Sequence, residues 1–260
     1  MKRIIGAVAA VAVALVLSTA ANAQQKVKIG VLTDMSGLYQ DIGGPGSVAA
    51  AKMAAADYAK INPNLKVEIV VGDHQNKPDI GSSIATQWFD ADGVDMAIDT
   101  PNSGVALAVS QVAANKNKIF IGSGPASSDL TGAKCNANTI HWTYDTWMLA
   151  NGTGKAMVKT GGDTWFFLTA DYAFGHALER DTSAVVEANG GKVVGKVRAP
   201  LNTPDFSSFL LQAQSSKAKV IGLANAGGDT INSIKQAAEF GITKGGAGSA
   251  ERSAAGAQLS

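Results

Sequence analysis

The chain has 260 residues, 46% hydrophobic and 17% charged, with a formal charge of +1. No basic run stands out, which argues against nucleic acid and acidic membrane surfaces as partners. Cys135 is the only cysteine, so no internal disulfide can form and stability has to come from a buried core, which a chain of this length can supply.

Met1-Lys2-Arg3 leads into an apolar stretch, 4–17, broken only by Gly6, and then into small residues ending Ala21-Asn22-Ala23. This pattern predicts a secretory signal peptide cleaved after Ala23. A membrane anchor fits poorly, because the run is short and its far flank is small and polar. Of the 22 Lys and Arg, only Lys2 and Arg3 leave with residues 1–23 and all 21 acids stay, so the formal charge becomes −1. No later stretch has the roughly 18 uninterrupted apolar residues of a membrane span. The exported chain is expected to be soluble.

From residue 26 apolar runs alternate with helical periodicity. A strand is expected over 27–32, then a loop carrying Tyr39, then an Ala-rich helix over 47–61 with Val48, Ala51, Ala55 and Tyr58 on one face. Asn62-Pro63-Asn64 stops it. Residues 66–71 read as a strand, and a helix from Asp79 carries Ile80, Ile84 and Trp88. A strand at 95–98, a helix from Ser103 with Val105, Val109 and Val112 in register, and a strand at 118–121 complete the first series. Strand–helix alternation of this kind predicts a parallel, doubly wound sheet. After a possible short strand at 139–142 and a helix over 147–160, the alternation resumes. Strands are expected at 163–169, 192–198 and 220–224. Helices are expected at 177–189, at 206–214 (Phe206, Phe209, Leu210, Ala213) and at 229–240 (Ile231, Ile234, Ala238). The fold class is therefore α/β, with two doubly wound parallel-sheet lobes, 24–142 and 143–244, after a signal peptide 1–23. Residues 245–260 have no apolar face and read as a disordered tail.

Two Ser/Asn/Gly-rich loops, 99–103 and 122–128, follow neighbouring strands of the first series. Ligands of open α/β sheets sit outside the carboxyl ends of strands, where free helix N–H groups attract anions. The same residues also suit ordinary βα turns and caps. Asp34, Asp73 and Asp99 end strands and are read as turn and cap formers in preference to a carboxylate cluster. His74, His141 and His176 stand in no metal-binding pattern, Cys135 has no histidine at ligand spacing, and no nucleophile elbow or phosphate loop occurs. Catalysis has no positive support, and no cofactor or metal is expected.

Three phrases, VKIGVLTDMSGLYQDIGGPG, NSGVALAVSQVAANKNKIFIGSGPASSDLTG and WFFLTADYAFGHALERD, resemble the branched-chain amino acid binding proteins. These are periplasmic receptors of ATP-binding-cassette importers for hydrophobic amino acids and amides. The resemblance implies a type I periplasmic binding protein fold that closes on its ligand like a hinge. It also implies a monomer that delivers a small molecule to an inner-membrane permease. It places the ligand carboxylate at Asn102, Ser103, Ser123, Gly124 and Ala126, with Tyr39 as a side-chain contact. Tyr172, Phe174 and Asn225 would come from the second lobe, and Trp147 could lie near the cleft. Where some members carry Thr, Ala126 offers only backbone for gripping an α-amino acid, and with Tyr39, Tyr172 and Phe174 near the cleft a hydrophobic or aromatic carboxylate competes as ligand. The resemblance also implies that the C-terminal part of the fold is missing, which would expose apolar surface and lower stability. An exported ligand-sensing module of a signalling system would use the same cleft.

Overall fold

A computed structural model describes residues 25–242, so the signal-peptide and tail readings lie outside the described residues. The first five strands are β1 (Gln25–Thr33), β2 (Leu65–Asp73), β3 (Met96–Asp99), β4 (Ile119–Gly122) and β5 (Thr139–His141). They form an all-parallel sheet in the order β2-β1-β3-β4-β5. Between them run α1 (Gly44–Ile61), α2 (Pro78–Asp90) and α3 (Ser103–Asn115). Because the chain steps from β1 to β2 in one direction and from β2 to β5 in the other, right-handed crossovers put α1 on one face and α2 and α3 on the opposite face.

The principal core lies beneath α2 and α3, where Leu32, Ala97 and Phe120 of the sheet meet Trp88, Phe89, Val105 and Val109. Trp88 fits because β1 and β2 present glycines to it: a Cβ at Gly30 would lie 2.3 Å from the indole, and one at Gly72 2.9 Å. The α1 face is thinner. Val48 is the one apolar side chain that α1 buries, and Tyr58, expected on its inner face, is exposed.

A connecting segment follows β5. It contains α4 (Thr146–Leu149), a π-turn (Ala150–Gly154) and α5 (Lys155–Lys159), and a short 3₁₀ turn (Ser128–Leu130) precedes β5 itself. The π-turn breaks the single helix the periodicity predicts. The second sheet has the order β7-β6-β8, all parallel, built from β6 (Thr164–Ala170), β7 (Lys192–Ala199) and β8 (Val220–Ala224). Its helices are α6 (Ala173–Ala188), α7 (Ser207–Ser215) and α8 (Gly228–Glu239). The central strand β6 carries the continuous apolar run Trp165-Phe166-Phe167-Leu168 because it is buried on both faces. Trp165 and Phe167 pack against Leu178 and Val186 of α6, and Phe166 and Leu168 against Phe206 and Leu210 on the other side.

Two expectations are corrected. Helix α6 starts at Ala173, four residues before the predicted 177, so Phe174 sits in its first turn and not in a loop. Helix α8 turns the opposite face inward: Thr230, Ser233 and Ala237 are buried, whereas Ile231 and Ile234 are 53% and 45% exposed. Hydrogen bonds from Thr230 Oγ1 to Asn225 Oδ1 (2.7 Å) and from Asn225 Nδ2 to Ser233 Oγ (3.2 Å) fix that rotation.

Gly30→Ala should lower the unfolding free energy by about 1–3 kcal/mol through overpacking against Trp88. Chemical denaturation checks this, and Gly30→Ala combined with Trp88→Leu should cost less than the two single changes summed.

Candidate functional site

In the first sheet the winding reverses between β1 and β3, and in the second between β6 and β8. Crevices open where the loops of such strand pairs diverge. Here the two crevices face each other. The loop after β1 supplies Tyr39 and Ile42, the loop after β3 Pro101, and the loop after β4 Gly124 and Ala126. From the second sheet come Tyr172 and Phe174 after β6 and Ala226 after β8, and Tyr144 comes from the connecting segment. Together they line one cavity of about 30 Å³. That is space for a water or two, far below the several hundred Å³ of a usual small-molecule site. The lobes stand closed.

A buried carboxylate aims Tyr39. Asp34, fully buried, accepts hydrogen bonds from Gly37 N (2.7 Å) and Tyr39 N (2.8 Å), and from the side chain of Asn76. Across the cleft Tyr39 Oη meets Tyr172 Oη at 2.7 Å, with the rings tilted and 6.2 Å apart. Burial raises both phenols above the ordinary tyrosine range. They remain neutral, and the pair has one O–H proton not used between them.

The remaining expected residues divide clearly. Ser103 Oγ accepts from Ala126 N (3.3 Å) and Ser127 N (3.1 Å), so it ties the loops after β3 and β4 together and keeps its own proton to donate. Asn102 caps α3 by accepting from Val105 N (3.1 Å). Ser123 Oγ donates to Asp99 Oδ1 (3.2 Å), and Asn225 is engaged with Thr230 and Ser233. Tyr39, Gly124, Ala126, Tyr172 and Phe174 therefore line the cavity, whereas Asn102, Ser103, Ser123 and Asn225 are held by partners within the loops. Trp147 is 62% exposed and stands outside the lining. Ala226, in the 225–227 loop that the resemblance assigns to the second lobe's side of the site, also lines the cavity, whereas Ile42, Pro101 and Tyr144 are not singled out by the sequence. The strand-end position of Pro101 is the available signal for that residue, and Tyr144 carries none.

Among the described residues no Lys, Arg or His lines the cavity. Helix N-termini stand at its lining: α3 begins two residues after Pro101, Phe174 lies in the first turn of α6, and α8 begins two residues after Ala226. Each such end carries about half a positive charge, and the N–H groups of Ser103 and Gly104 precede the first intrahelical bond of α3. The first turns of α3 and α6 touch, since a Cβ at Gly104 would lie 4.0 Å from that of Ala173. Beneath these loops the backbone leaves β3 left-handed at Asp99 (φ 80°) and Thr100 (φ 64°), and burial raises the Asp99 carboxyl. Such an arrangement favours an anion bound by backbone and hydroxyl donors in an apolar, aromatic enclosure. Among the described residues no His/Cys/Asp/Glu cluster could hold a metal ion, and Cys135 is exposed in a loop.

Two facing α/β lobes with their switch-point crevices closed around one cavity define a two-lobe binding protein of the type I class. The chain belongs to the periplasmic binding protein family, whose sequence profile matches residues 26–259. A periplasmic binding protein from Burkholderia mallei is 54% identical and superposes with a TM-score of 0.86, covering 91% of this chain and 62% of its own. A branched chain amino acid ABC transporter periplasmic ligand-binding protein from Burkholderia xenovorans LB400 is 40% identical (TM-score 0.68), covering 83% and 58%. The Leu/Ile/Val-binding protein homolog 6 of Brucella melitensis is 25% identical over 248 residues, 95% of this chain and 62% of that protein. The chain thus spans about three fifths of the length of these relatives.

His74 links this architecture to pH. Fully buried, it accepts from Asn76 N (3.0 Å), the residue whose side chain reaches Asp34, and desolvation lowers its pKa to about 4. The unfolded chain binds this proton near pH 6.5, so His74 supports folding above that value and the support is lost as pH falls towards 4. Asp99, raised, acts in the opposite sense. The unfolding free energy of the native chain should drop by about 3 kcal/mol more than that of His74→Asn between those pH values, measured by urea titration.

Proposed function

We propose that this protein is the exported solute-binding receptor of an ATP-binding-cassette importer. It captures a small carboxylate-bearing ligand between its lobes and presents the closed form, as a monomer, to an inner-membrane permease. The ligand class is a branched-chain or other hydrophobic amino acid, a carboxylate-bearing amide, or an aromatic acid. One observation carries the reading: the cavity between the two switch points has three helix N-termini and no cationic side chain, and it is otherwise walled by aromatic and apolar groups. Family membership supports the same reading, as does the B. xenovorans relative described as an ABC transporter ligand-binding protein.

Ligand entry requires the lobes to part, because the closed cavity is too small for an amino acid. The carboxylate would seat at the start of α3, where the Ser103 hydroxyl and the first N–H groups converge. The apolar part would lie among Tyr39, Tyr144, Tyr172 and Phe174. Closure then follows from differential affinity, since only the closed form brings Tyr172 and Phe174 onto the ligand. The protein performs no chemistry on its cargo. Signal-peptide removal after Ala23 delivers it to the periplasm.

A thermal-shift panel tests this. Leucine, valine, benzoate and 4-hydroxybenzoate form the carboxylate arm, and leucinamide and methyl benzoate the arm without it. At least one carboxylate should raise the melting midpoint, and its analogue without the carboxylate should not. Equal stabilisation by both arms would overturn the anion-binding part. Ser103→Ala should weaken the effective carboxylate by about 1–2 kcal/mol, through the hydroxyl and the loop it holds.

A further inference from the structure

A second set of contacts crosses between the lobes away from the tyrosines. Asp181, on α6, is only 10% exposed at its side chain, and both oxygens are engaged. Oδ2 accepts from Ser128 Oγ and from Thr146 Oγ1, each at 2.6 Å, and Oδ1 accepts from Arg180 Nε at 2.9 Å. Arg180 extends the same bridge, donating to Ser128 Oγ at 2.9 Å and pairing with Asp129 at 3.0 Å. Hydroxyl bonds to carboxylate at this length are the strong, charge-assisted kind.

The partners of Asp181 lie next to the cavity wall. Thr146 N donates to Ala126 O (2.8 Å), and Ser128 N donates to Thr146 Oγ1 (3.1 Å). Ala126 lines the cavity, and its own N–H donates to Ser103 Oγ. A continuous chain of hydrogen bonds therefore runs from α6 of the second lobe, through Thr146 and Ser128, to the loops of the first lobe. We propose that Asp181 is a positioning residue of the cleft: its carboxylate fixes Ser128 and Thr146 and, through them, the cavity-lining backbone at Ala126. The shape of the wall in one lobe is thereby set by how the other lobe is seated. The consequence for ligand affinity rests on the cleft being the binding site; the fixing of the loop does not.

The test uses the full chain as Asp181→Ala, Asp181→Asn and Ser128→Ala. Backbone hydrogen exchange is read without ligand over 123–130, with β6 as the folding control. Asp181→Ala should speed exchange in 123–130 about tenfold or more, the scale of one lost charge-assisted bond, and leave β6 protected. Asp181→Asn, whose amide oxygen can still accept one hydroxyl bond, should give an intermediate rate. Affinity for whichever of leucine or benzoate stabilises the native chain should fall by a similar factor. Unchanged exchange in 123–130 with β6 protected would overturn the proposal. If Asp181→Ala also exposes β6, the milder Ser128→Ala decides by the same reading. If the native chain binds neither probe, the receptor reading fails while the exchange result still decides the role of Asp181.

Discussion

One hydroxyl holds the first lobe's half of the cleft together. Ser103 Oγ accepts two backbone N–H groups from the loop after β4 while its own residue opens the helix after β3. Two loops that share no strand become a single surface through that atom. Without it Ala126 and Ser127 would hold buried N–H groups with no acceptor, at about 1–3 kcal/mol each. Asp34 does comparable work for the loop after β1, and Asp99 takes the Ser123 hydroxyl below. The wall rests on side chains that accept from loops, more than on the loops' own packing.

This explains which parts of the site were legible in sequence. Strand ends, helix starts and the Ser/Asn/Gly loops follow from periodicity and capping chemistry, whereas the assignment of Tyr39, Gly124, Ala126, Tyr172 and Phe174 to one cleft follows from the family resemblance. Side-chain destination is a different matter. Asn102, Ser103, Ser123 and Asn225 are residue types that suit either a ligand or a neighbouring backbone group, and only the fold decides whether a partner is within reach. Tyr144 lies in an irregular segment with no periodic signal, and its place in the cavity depends on how the two lobes meet.

The apolar pattern misled most where polar bonding overrides it. Helix α8 carries Ile231, Ile234 and Ala238 on one face, which by hydrophobicity alone should point inward. Its inward face is instead Thr230 and Ser233, bonded to Asn225 at the end of β8. Turning the isoleucines in would leave those buried groups without partners. The four-residue shift at the start of α6 is a backbone matter: Tyr172 stands at the N-cap position without a side-chain cap bond, and His176 N donates to Tyr172 O at 3.0 Å.

The two inter-lobe bridges differ in kind, and the difference shapes how the cleft can open. The Tyr39–Tyr172 contact joins two neutral phenols, so its net worth is that of an ordinary hydrogen bond, about 0.5–1.5 kcal/mol. An entering ligand can replace it with a hydrogen bond of its own and close the cycle at little cost. The Asp181 bridge joins a carboxylate to two hydroxyls and an arginine, and no group of a small ligand reaches it from the cavity. Breaking it would strand a largely buried charge, which is the more expensive event. Parting at the tyrosines while the Asp181 side stays joined is therefore the cheaper motion. On the proposed binding role, such a motion would swing the first turns of α6 and α8 away from α3 and leave the Ala126 wall in place for the next ligand.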